Sequence, residues 1–493
     1  MAEAERQPGA RRLSERTLAR LPAAVGRPAY DRAALQTGIV HLGIGAFHRA
    51  HQAVYTEEAL AAGSPAGEAL DWGILGVSLR STATAEALAP QDGLYTLAVR
   101  DTEGERLRVI GAVKAVLTAP QALPTLLQRM AAPTTRILGL TVTEKGYHLA
   151  PSDYALDLAA PAVAADLARP EAPATIYGLI VEALRRRRAD GLAPFTVLSG
   201  DNLPDNGAVL RRAVLAFARQ RDRALEEWIA DTTAFPCTMV DRITPATTDA
   251  DRTAVERAIG LADGWPVVTE GFSQWVIEDN FPLGRPAWEA GGAVFSSDIA
   301  AWERMKLRML NGAHSALAYR GQLKGHETVD AAIADPKIAT LVEGLWRETA
   351  GTFAAPSDPQ DYARALMRRF RNPALGHRTA QIAMDGSQKL PVRLLEPLRD
   401  RLAKGAPCRH LTAAVAAWMA YVERQVRDSG AAGLDDPLAE AIASKILAAG
   451  SSPANLVPAL LSIEAVFGRD LPTNEMLQRR LVEELGRLAR IGR

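Results

Sequence analysis

Short apolar runs alternate with helix-periodic segments over the first 280 residues, and this alternation is what most limits the folds open to the chain. Four runs have the length and composition of buried strands: 38–44 (GIVHLGI), 72–77 (WGILGV), 137–142 (ILGLTV) and 195–198 (FTVL). Helical patterns at 48–62 and 175–187 lie between them. Because strands interleaved with helices form βαβ units, this half predicts an α/β domain with a mostly parallel sheet.

Two further apolar runs in the first half, at 94–100 and 107–116, follow each other without a helix between them, which predicts an antiparallel insertion.

The second half of the chain is predicted to be mainly helical. Beyond about residue 286, helical stretches follow one another: 298–322, 328–346, 362–370, 411–426, 437–447 and 474–490. We therefore predict an N-terminal extension over 1–36, an α/β domain over 37–285 and a mainly α-helical C-terminal domain over 286–493.

The charge balance and the cysteine count exclude several classes of protein. Lys and Arg total 57 and Asp and Glu total 57, so the basic excess of a nucleic-acid or anionic-membrane binder is absent. The longest apolar stretch, 413–422, is far shorter than the roughly 20 residues of a membrane span. Cys237 and Cys408 form neither a disulfide framework nor a zinc spacing, which favours a reducing, cytoplasmic compartment. No coiled-coil seam is predicted, which is compatible with a monomer.

The first predicted strand runs into a glycine-rich turn, Gly43-Ile-Gly45-Ala46-Phe47-His48. A strand that passes through G-x-G into a helix presents backbone N–H groups to a pyrophosphate. The third glycine of the usual fingerprint is replaced by His48. The alternative is an ordinary tight turn between strand and helix. The position in an alternating α/β half favours a Rossmann-like dinucleotide site that includes Gly43, Gly45, Ala46 and Phe47.

The end of the second strand leaves the choice of nucleotide open. A carboxylate there would bind the ribose 2′-hydroxyl of NAD, but the sequence has Ser78-Leu79-Arg80-Ser81. Arg80 and Ser78 could instead face the 2′-phosphate of NADP. Arg80 could also be solvated surface. We predict Arg80 as a cofactor contact and keep NADP as an alternative to NAD.

Lys306, Asn311 and His314 lie on one predicted helix. At the α-helical spacing, Asn311 lies about 140° and His314 about 80° around the axis from Lys306, on an arc shared with Leu310. An amphipathic helix would normally fill such an arc with aliphatic side chains. The combination therefore indicates a polar pocket, with a surface stripe beside an apolar one as the alternative.

These residue types fit the reduction of a carbonyl group. Hydride transfer to a ketone builds an alkoxide, which needs a proton donor and preorganised hydrogen-bond donors. A buried lysine can exchange that proton near neutrality, and asparagine amides donate without adding charge. Asn202 follows the strand at 195–198, at the sheet end where ligands bind in such folds. Asp201 and Asp205 beside it could equally be turn residues. This chemistry requires no metal.

Together these segments resemble the polyol-specific long-chain dehydrogenases, also called the mannitol dehydrogenase family. The resemblance extends from about residue 38 onward and rests on five motifs: GIGAFHRAH at 43–51, LTVTEKGY at 140–147, SGDNLPDNG at 199–207, VDRITP at 240–245 and K-x4-N-x2-H at 306–314. It implies a nicotinamide cofactor and no metal. It also implies that Lys306 is the catalytic lysine, that Asn202 and Asn311 stabilise the alkoxide, that His314 supports them, and that Glu144 takes part in proton movement.

The segment at 372–389 is similar to the fructuronate reductase (D-mannonate oxidoreductase) branch of that family. Mannitol dehydrogenases have an arginine where this chain has Gln381, which argues against a neutral polyol. A hexuronate carries a carboxylate, and a carboxylate favours a nearby cation. Arg378 and Lys389 are the substrate-binding candidates, and Lys389 matches a family substrate contact. Arg378 could otherwise cap a helix or face water.

The resemblance thus implies an NAD-dependent oxidoreductase that interconverts D-fructuronate and D-mannonate by hydride transfer at C5. In the family Asp241 lies close to the site and is a candidate for substrate or cofactor binding; the alternative is a structural pair with Arg242. A mannitol or arabinitol 2-dehydrogenase acting on a neutral polyol is the nearest rival function. A non-catalytic nucleotide-binding sensor is a rival of another class, but it has no need of Lys306. A methyltransferase would not explain the helical domain.

Overall fold

The apolar run Thr37–Leu42 forms β1, the middle strand of a five-stranded parallel sheet. The computed structural model describes residues 12–63, 68–150 and 154–491, and the chain divides into one unit up to Ala300 and a second from Ala301. The strands are β1, β2 (Gly73–Ser78), β3 (Tyr95–Asp101), β4 (Gly104–Ile110), β5 (Val113–Thr118), β6 (Ile137–Leu140), β7 (Thr196–Ser199), β8 (Thr238–Asp241), β9 (Val267–Glu270), β10 (Gln274–Ile277) and β11 (Val294–Phe295).

The parallel sheet has the order β5-β2-β1-β6-β7, and two three-stranded sheets, β11-β10-β8 and β4-β3-β9, complete the strands of the first unit. The chain leaves β1 toward β2 on one side and returns to β6 on the other, which creates a topological switch point beside β1. Four of the strands, β1, β2, β6 and β7, are almost continuously buried, as is typical of a parallel sheet, whereas the edge strand β5 is buried at three of its six residues. The predicted Rossmann-like α/β fold is confirmed.

The helices of the first unit are α1 (Ala46–Ala50), α2 (Gln52–Ala62), α3 (Ala83–Leu88), α4 (Ala119–Ala131), α5 (Pro161–Ala168), α6 (Ile176–Ala189), α7 (Asn206–Arg221), α8 (Arg223–Thr232) and α9 (Asp249–Ile259). The single helix predicted at 48–62 was wrong, because the chain breaks at His51. The backbone of His51 has φ −121° and ψ −90°, and its Nε2 lies 2.9 Å from the carbonyl oxygen of Gln274. A contact distant in sequence therefore interrupts the helix.

The predicted strand at 107–116 is in fact two strands. β4 pairs antiparallel with β3, as predicted for the insertion, whereas β5 joins the parallel sheet beside β2. The N–H groups of Gly111 and Ala112, between them, both donate to the Glu57 carboxylate at 2.8 Å. This side chain from α2 binds the backbone that would otherwise continue the ladder.

The second unit is helical, as predicted. α10 (Ile299–Met305) crosses the boundary between the units and the rest follow: α11 (Gly312–Lys324), α12 (Val329–Ile333), α13 (Pro336–Ala350), α14 (Pro359–Phe370), α15 (Thr379–Ala383), α16 (Gly386–Leu390), α17 (Glu396–Ala403), α18 (Arg409–Ser429), α19 (Ala439–Ala449), α20 (Pro453–Leu461), α21 (Glu464–Phe467) and α22 (Glu475–Ile491). Two π-helical turns, Lys306–Asn311 and Pro391–Leu395, interrupt the α-helical spacing. Across the described ranges, none of these helices has the length and hydropathy of a membrane span.

Three of the four arginines at 185–188 bind partners within the first unit. Arg185 and Arg186 each donate to the Glu182 carboxylate at 2.9 Å, and Arg221 donates to it at 3.1 Å. Arg187 is buried and donates to backbone carbonyls. Arg185 and Arg186 thus pair with Glu182 within α6, and Arg221 links α7 to the same carboxylate. The end of the run also lies in the last turn of α6, where cations complement the helix dipole.

We predict that Glu182→Gln lowers the free energy of unfolding at pH 7 by about 2 kcal/mol, because a buried carboxylate with three arginine partners is lost. Burial alone would raise the pKa of Glu182, but hydrogen bonds from the arginines lower it from 4.5 to about 2. Its stabilisation is therefore complete above pH 4.5 and disappears as the pH falls toward 2. Urea unfolding at a series of pH values measures this dependence.

The matched control is Glu227→Gln, since the Glu227 side chain is 63% exposed and pairs only at the surface with Arg223. An equal loss of stability in the two variants at pH 7 would contradict the role assigned to Glu182.

Candidate active site

The glycine turn after β1 lies at the carboxyl edge of the parallel sheet, between its two neighbouring strands. Gly43 has φ +93°, and a Cβ on it would stand 2.0 Å from the carbonyl oxygen of Thr141. Its N–H donates to the carbonyl of Val77 at 2.8 Å. The turn is thus packed against β2 and against the segment that follows β6. Only glycine fits the backbone at Gly43. Beyond it, Gly45 is exposed, and the half-buried Ala46 and Phe47 begin α1.

His48, which replaces the third glycine of the fingerprint, is a buried support for this turn. Its ring stacks on His41 at 3.5 Å, and its Nδ1 lies 2.9 Å from Gln52 Oε1, so Nδ1–H donates. His41 Nε2 is 2.8 Å from Thr141 Oγ1, which donates to the carbonyl of Gly43. Burial lowers the pKa of His48 to about 4, so the imidazole is neutral at physiological pH.

Asp201 connects the loop after β7 to the loop after β6. Its carboxylate accepts hydrogen bonds from the N–H of Val142 at 3.0 Å, from the N–H of Thr143 at 3.1 Å and from the Tyr147 hydroxyl at 2.7 Å. Burial raises the pKa of Asp201 above its usual value although these donors favour the charged form. Thr143 has a strained φ of +66°. Asp201 is therefore more than the turn residue that the sequence suggested.

Two predicted catalytic residues flank this connection. Asn202 directly follows Asp201, and Glu144 directly follows Thr143, so the carboxylate of Asp201 holds together the two loops that carry them. Both Asn202 and Glu144 are exposed at the carboxyl edge of the sheet. An amide and a carboxylate are thus presented to solvent at the sheet end where ligands bind in α/β folds.

Asp241 and Arg80 occupy different positions in the same unit. Asp241 is buried at the end of β8 and pairs in register with Gln274, whose carbonyl is bound by His51. Arg242 donates to the backbone carbonyls of Ala50 and Glu270. Arg80 is exposed two residues beyond β2, and no carboxylate occurs at 78–81.

In the helical unit, Lys306 and Asn311 are the first and last residues of a π-helical turn between α10 and α11. The prediction assumed α-helical spacing across this segment, and that assumption was wrong. Because a π turn bonds residue i to i+5, Lys306 and Asn311 stand one wide turn apart. Lys306 is 9% exposed, and Asn311 is half-buried. Such turns often mark functional sites.

His314 lies one turn into α11 and is buried. Its ring contacts Phe370, with centroids 4.8 Å apart, and meets the ring of His377 edge-on at 5.5 Å. Burial, together with the positive field of His377, Arg369, Arg393 and Lys306, lowers the pKa of His314 well below 6.5. Within the described residues its Nε2 has no hydrogen-bond partner. A neutral imidazole with a free nitrogen can orient a substrate hydroxyl.

The two predicted substrate cations differ in their surroundings. Arg378 is exposed at the start of α15. Lys389 is half-buried in α16, where its Nζ donates to the carbonyl of Met384 at 2.6 Å and lies 3.7 Å from Asp385. Burial and the charge of Arg393 lower the pKa of Lys389. Arg393, which the sequence analysis missed, thus shares the surroundings of Lys389 and His314.

Comparisons with known proteins agree over nearly the whole chain. Residues 37–290 match the mannitol dehydrogenase Rossmann domain, and residues 298–489 match the mannitol dehydrogenase C-terminal domain. D-Mannonate oxidoreductase of Escherichia coli (strain K12) is 44% identical over 457 residues, which are 91% of this chain and 93% of that protein. A mannitol 2-dehydrogenase of Phaeosphaeria nodorum is 38% identical over 496 residues, 99% of this chain and 85% of that protein. The Pseudomonas fluorescens mannitol 2-dehydrogenase, solved as a ternary complex with NAD and D-mannitol, is 37% identical; the match covers 98% of this chain and 97% of that chain with a TM-score of 0.81.

We predict that Gly43→Ala lowers the free energy of unfolding by about 3 kcal/mol, since its Cβ would collide with backbone and its positive φ is unfavourable for alanine. Thermal unfolding measures the loss. Gly260→Ala is the matched control, because Gly260 has φ +69° but open space around its Cβ position. The control should lose about 1 kcal/mol. Equal losses in both variants would show that the approach of Thr141 does not constrain Gly43.

Proposed function

Because the chain belongs to the mannitol dehydrogenase family, we propose that it is an NAD-dependent oxidoreductase that interconverts D-fructuronate and D-mannonate. The observation that carries the proposal is the π-helical turn with Lys306 and Asn311 at its ends and a neutral His314 beyond it. These are the groups that ketone reduction requires, and cationic side chains surround them. The 44% identity to a D-mannonate oxidoreductase supports a sugar acid as substrate.

The first unit fits a nicotinamide dinucleotide. Because Gly43 has no side chain, the turn after β1 packs closely against the backbone at Thr141. The turn also lies at the switch point of a parallel sheet, where dinucleotides bind in such folds. We assign the pyrophosphate to the backbone of 43–47 and the adenosine ribose to the region of Arg80. When bound, the cofactor supplies or accepts the hydride. The absence of a carboxylate at 78–81 keeps NADP as the alternative cofactor.

In this proposal Lys306 is the general acid for ketone reduction and the general base for alcohol oxidation. Its ammonium gives a proton to the alkoxide oxygen that forms, and its amine removes the hydroxyl proton in the reverse direction. The amides of Asn202 and Asn311 donate hydrogen bonds to the carbonyl oxygen and stabilise negative charge as it develops. His314 orients the substrate hydroxyls.

Three further groups have supporting roles in the proposal. Glu144, exposed at the sheet edge, exchanges the proton with solvent. Asp241 contributes to substrate or cofactor binding. Lys389 provides positive charge for the substrate carboxylate, whereas the exposed Arg378 is the weaker candidate for that role.

A neutral polyol is the alternative substrate. The mannitol 2-dehydrogenase of Phaeosphaeria nodorum is 38% identical over nearly the whole chain, and the solved Pseudomonas fluorescens enzyme was crystallised with D-mannitol. The same lysine and asparagines would serve that reaction. The two functions differ in whether a carboxylate must be bound.

We predict that the purified protein oxidises NADH rapidly with D-fructuronate and much more slowly with D-tagaturonate or D-fructose, as followed at the NADH absorbance band. Lys306→Ala should lower kcat by about 10³-fold, because it removes the general acid. NADH affinity, measured by fluorescence titration, should be unchanged, since Lys306 acts on the substrate oxygen.

Lys404→Ala is the matched control and should keep full activity, because Lys404 is exposed and its Nζ donates to the carbonyl of Gly351 at 3.1 Å, its one hydrogen bond among the residues that the structure describes. Near-normal turnover by Lys306→Ala would contradict the assignment of Lys306. Preferential turnover of D-fructose would favour the neutral-polyol alternative. No turnover of any of the three substrates with NADH or NADPH would contradict the proposed function.

A further inference from the structure

The second π-helical turn, Pro391–Leu395, contacts the first one, Lys306–Asn311. The approach is close at Gly312, where a Cβ would stand 3.0 Å from the carbonyl oxygen of Arg393. On the same side, Arg393 Nη1 donates to Ser315 Oγ at 3.2 Å. Because Gly312 has no side chain, the backbone of Arg393 can approach α11 closely. The guanidinium of Arg393 then lies along this helix, which also carries His314.

The positive charge and the N–H donors of the Arg393 guanidinium have few partners among the described residues. Ser315 is its one hydrogen-bond partner in the part of the chain that the structure describes, and no ion pair to it occurs there. Burial lowers the pKa of Arg393, although Asp385 acts in the opposite direction. The Asp385 side chain is 43% exposed and lies 3.7 Å from Lys389. A half-buried guanidinium with free donors favours an anionic ligand.

Tyr319 provides a second donor beside Arg393. It lies one turn beyond Ser315 on α11, its side chain is fully buried, and its hydroxyl has no hydrogen-bond partner among the described residues. Gly386 makes room for this hydroxyl, since a Cβ there would stand 3.0 Å from it. A buried hydroxyl without a partner costs free energy unless a ligand satisfies it.

The other carboxylate nearby is already satisfied. Asp436 accepts hydrogen bonds from the N–H and the hydroxyl of Ser387 at 2.7 and 2.5 Å, and from the N–H of Leu438 at 2.9 Å. Among the described residues, Asp436 forms no hydrogen bond or ion pair with Arg393. Among the described residues, the buried polar atoms here that lack a hydrogen-bond partner are the Tyr319 hydroxyl, the Nε2 of His314 and the Nδ1 of His377, and the Arg393 guanidinium donates only to Ser315.

We propose that Arg393 and the Tyr319 hydroxyl form the binding site for the carboxylate of the substrate and determine the preference for a sugar acid over a neutral ketose. This inference rests on the proposed function and adds to it the residues that recognise the acid group. The guanidinium offers parallel N–H donors to the two carboxylate oxygens, and the phenol donates a third hydrogen bond. Lys389, which matches a family substrate contact, lies close enough to Arg393 for their charges to interact and adds positive charge beside this site. The exposed Arg378 has no part in it.

The test compares D-fructuronate with D-fructose as oxidants of NADH in the full-length protein. Arg393→Gln should raise the KM for D-fructuronate at least 50-fold and lower the preference for D-fructuronate over D-fructose, measured as the ratio of their kcat/KM values, because only the acid loses a partner. Tyr319→Phe should raise the KM for D-fructuronate about 5-fold, the loss expected for one hydrogen bond to a charged group. Arg393→Lys should recover part of the affinity, since it keeps the charge but loses the paired donors.

Arg409→Gln is the matched control for charge, because Arg409 is exposed at the start of α18, and both KM values should remain those of the wild type. Circular dichroism and thermal unfolding show whether each variant is folded. If Arg393→Gln does not fold, the KM values of Arg393→Lys and Tyr319→Phe decide. A wild-type KM for D-fructuronate in the folded Arg393 variants would overturn the inference.

Calorimetric titration with D-mannonate and D-mannitol separates this inference from the proposed function. The wild type should bind D-mannonate at least 10-fold more tightly than D-mannitol, and Arg393→Gln should abolish the difference. If the wild type shows that preference but turns over no substrate, the proposed function fails and the carboxylate site stands. If the wild type shows no preference for D-mannonate, the carboxylate site is wrong even where turnover is observed.

Discussion

The contact between two π-helical turns at Gly312 is the constraint on which the candidate site of the helical unit depends. A Cβ at Gly312 would stand 3.0 Å from the carbonyl oxygen of Arg393, so a side chain there would require one of the two backbones to move by a few tenths of an ångström. The same close approach places the Arg393 guanidinium against Ser315, on the helix that carries His314. The wide i to i+5 spacing sets Lys306 and Asn311 one turn apart in a helix that is otherwise α-helical. Close backbone packing thus fixes the polar groups without disulfides.

In the α/β unit, too, a glycine allows two backbone segments to pack closely. Gly43 brings the turn after β1 against the backbone after β6, and the buried pair His41 and His48 fills the space beneath it. Asp201 then fixes the loops that carry Asn202 and Glu144 through hydrogen bonds to backbone N–H groups. In both units the chemically useful side chains stand on backbone that tertiary contacts hold, which is the preorganisation that electrostatic catalysis needs.

Local sequence patterns were sufficient for the fold but only partly for the site. The run at 38–44 predicted β1 to within two residues, because a buried central strand leaves a continuous apolar signal. The break at His51 and the division between β4 and β5 depend on Gln274 and Glu57, partners distant in sequence, so no local pattern contains them. Tertiary contacts overrode local preference at both places.

The helical unit shows the same limit at the site itself. The residue types at 306–314 indicated proton transfer, but their angular relation could not be known, because a period of 3.6 residues does not anticipate a π turn. No motif or spacing in the sequence marks Arg393 as a binding residue. Its importance comes from Gly312, Ser315 and Tyr319, which only the folded chain brings next to it.

Hydride transfer is tested most directly by following deuterium from NADH labelled at C4 of the nicotinamide to D-fructuronate, with the product analysed by mass spectrometry and NMR. Transfer to the carbonyl carbon predicts one deuterium on C5 of D-mannonate, and no deuterium on any carbon when unlabelled NADH reacts in deuterated water. Incorporation from the water instead, or a product without deuterium at C5, would contradict hydride transfer to the carbonyl carbon.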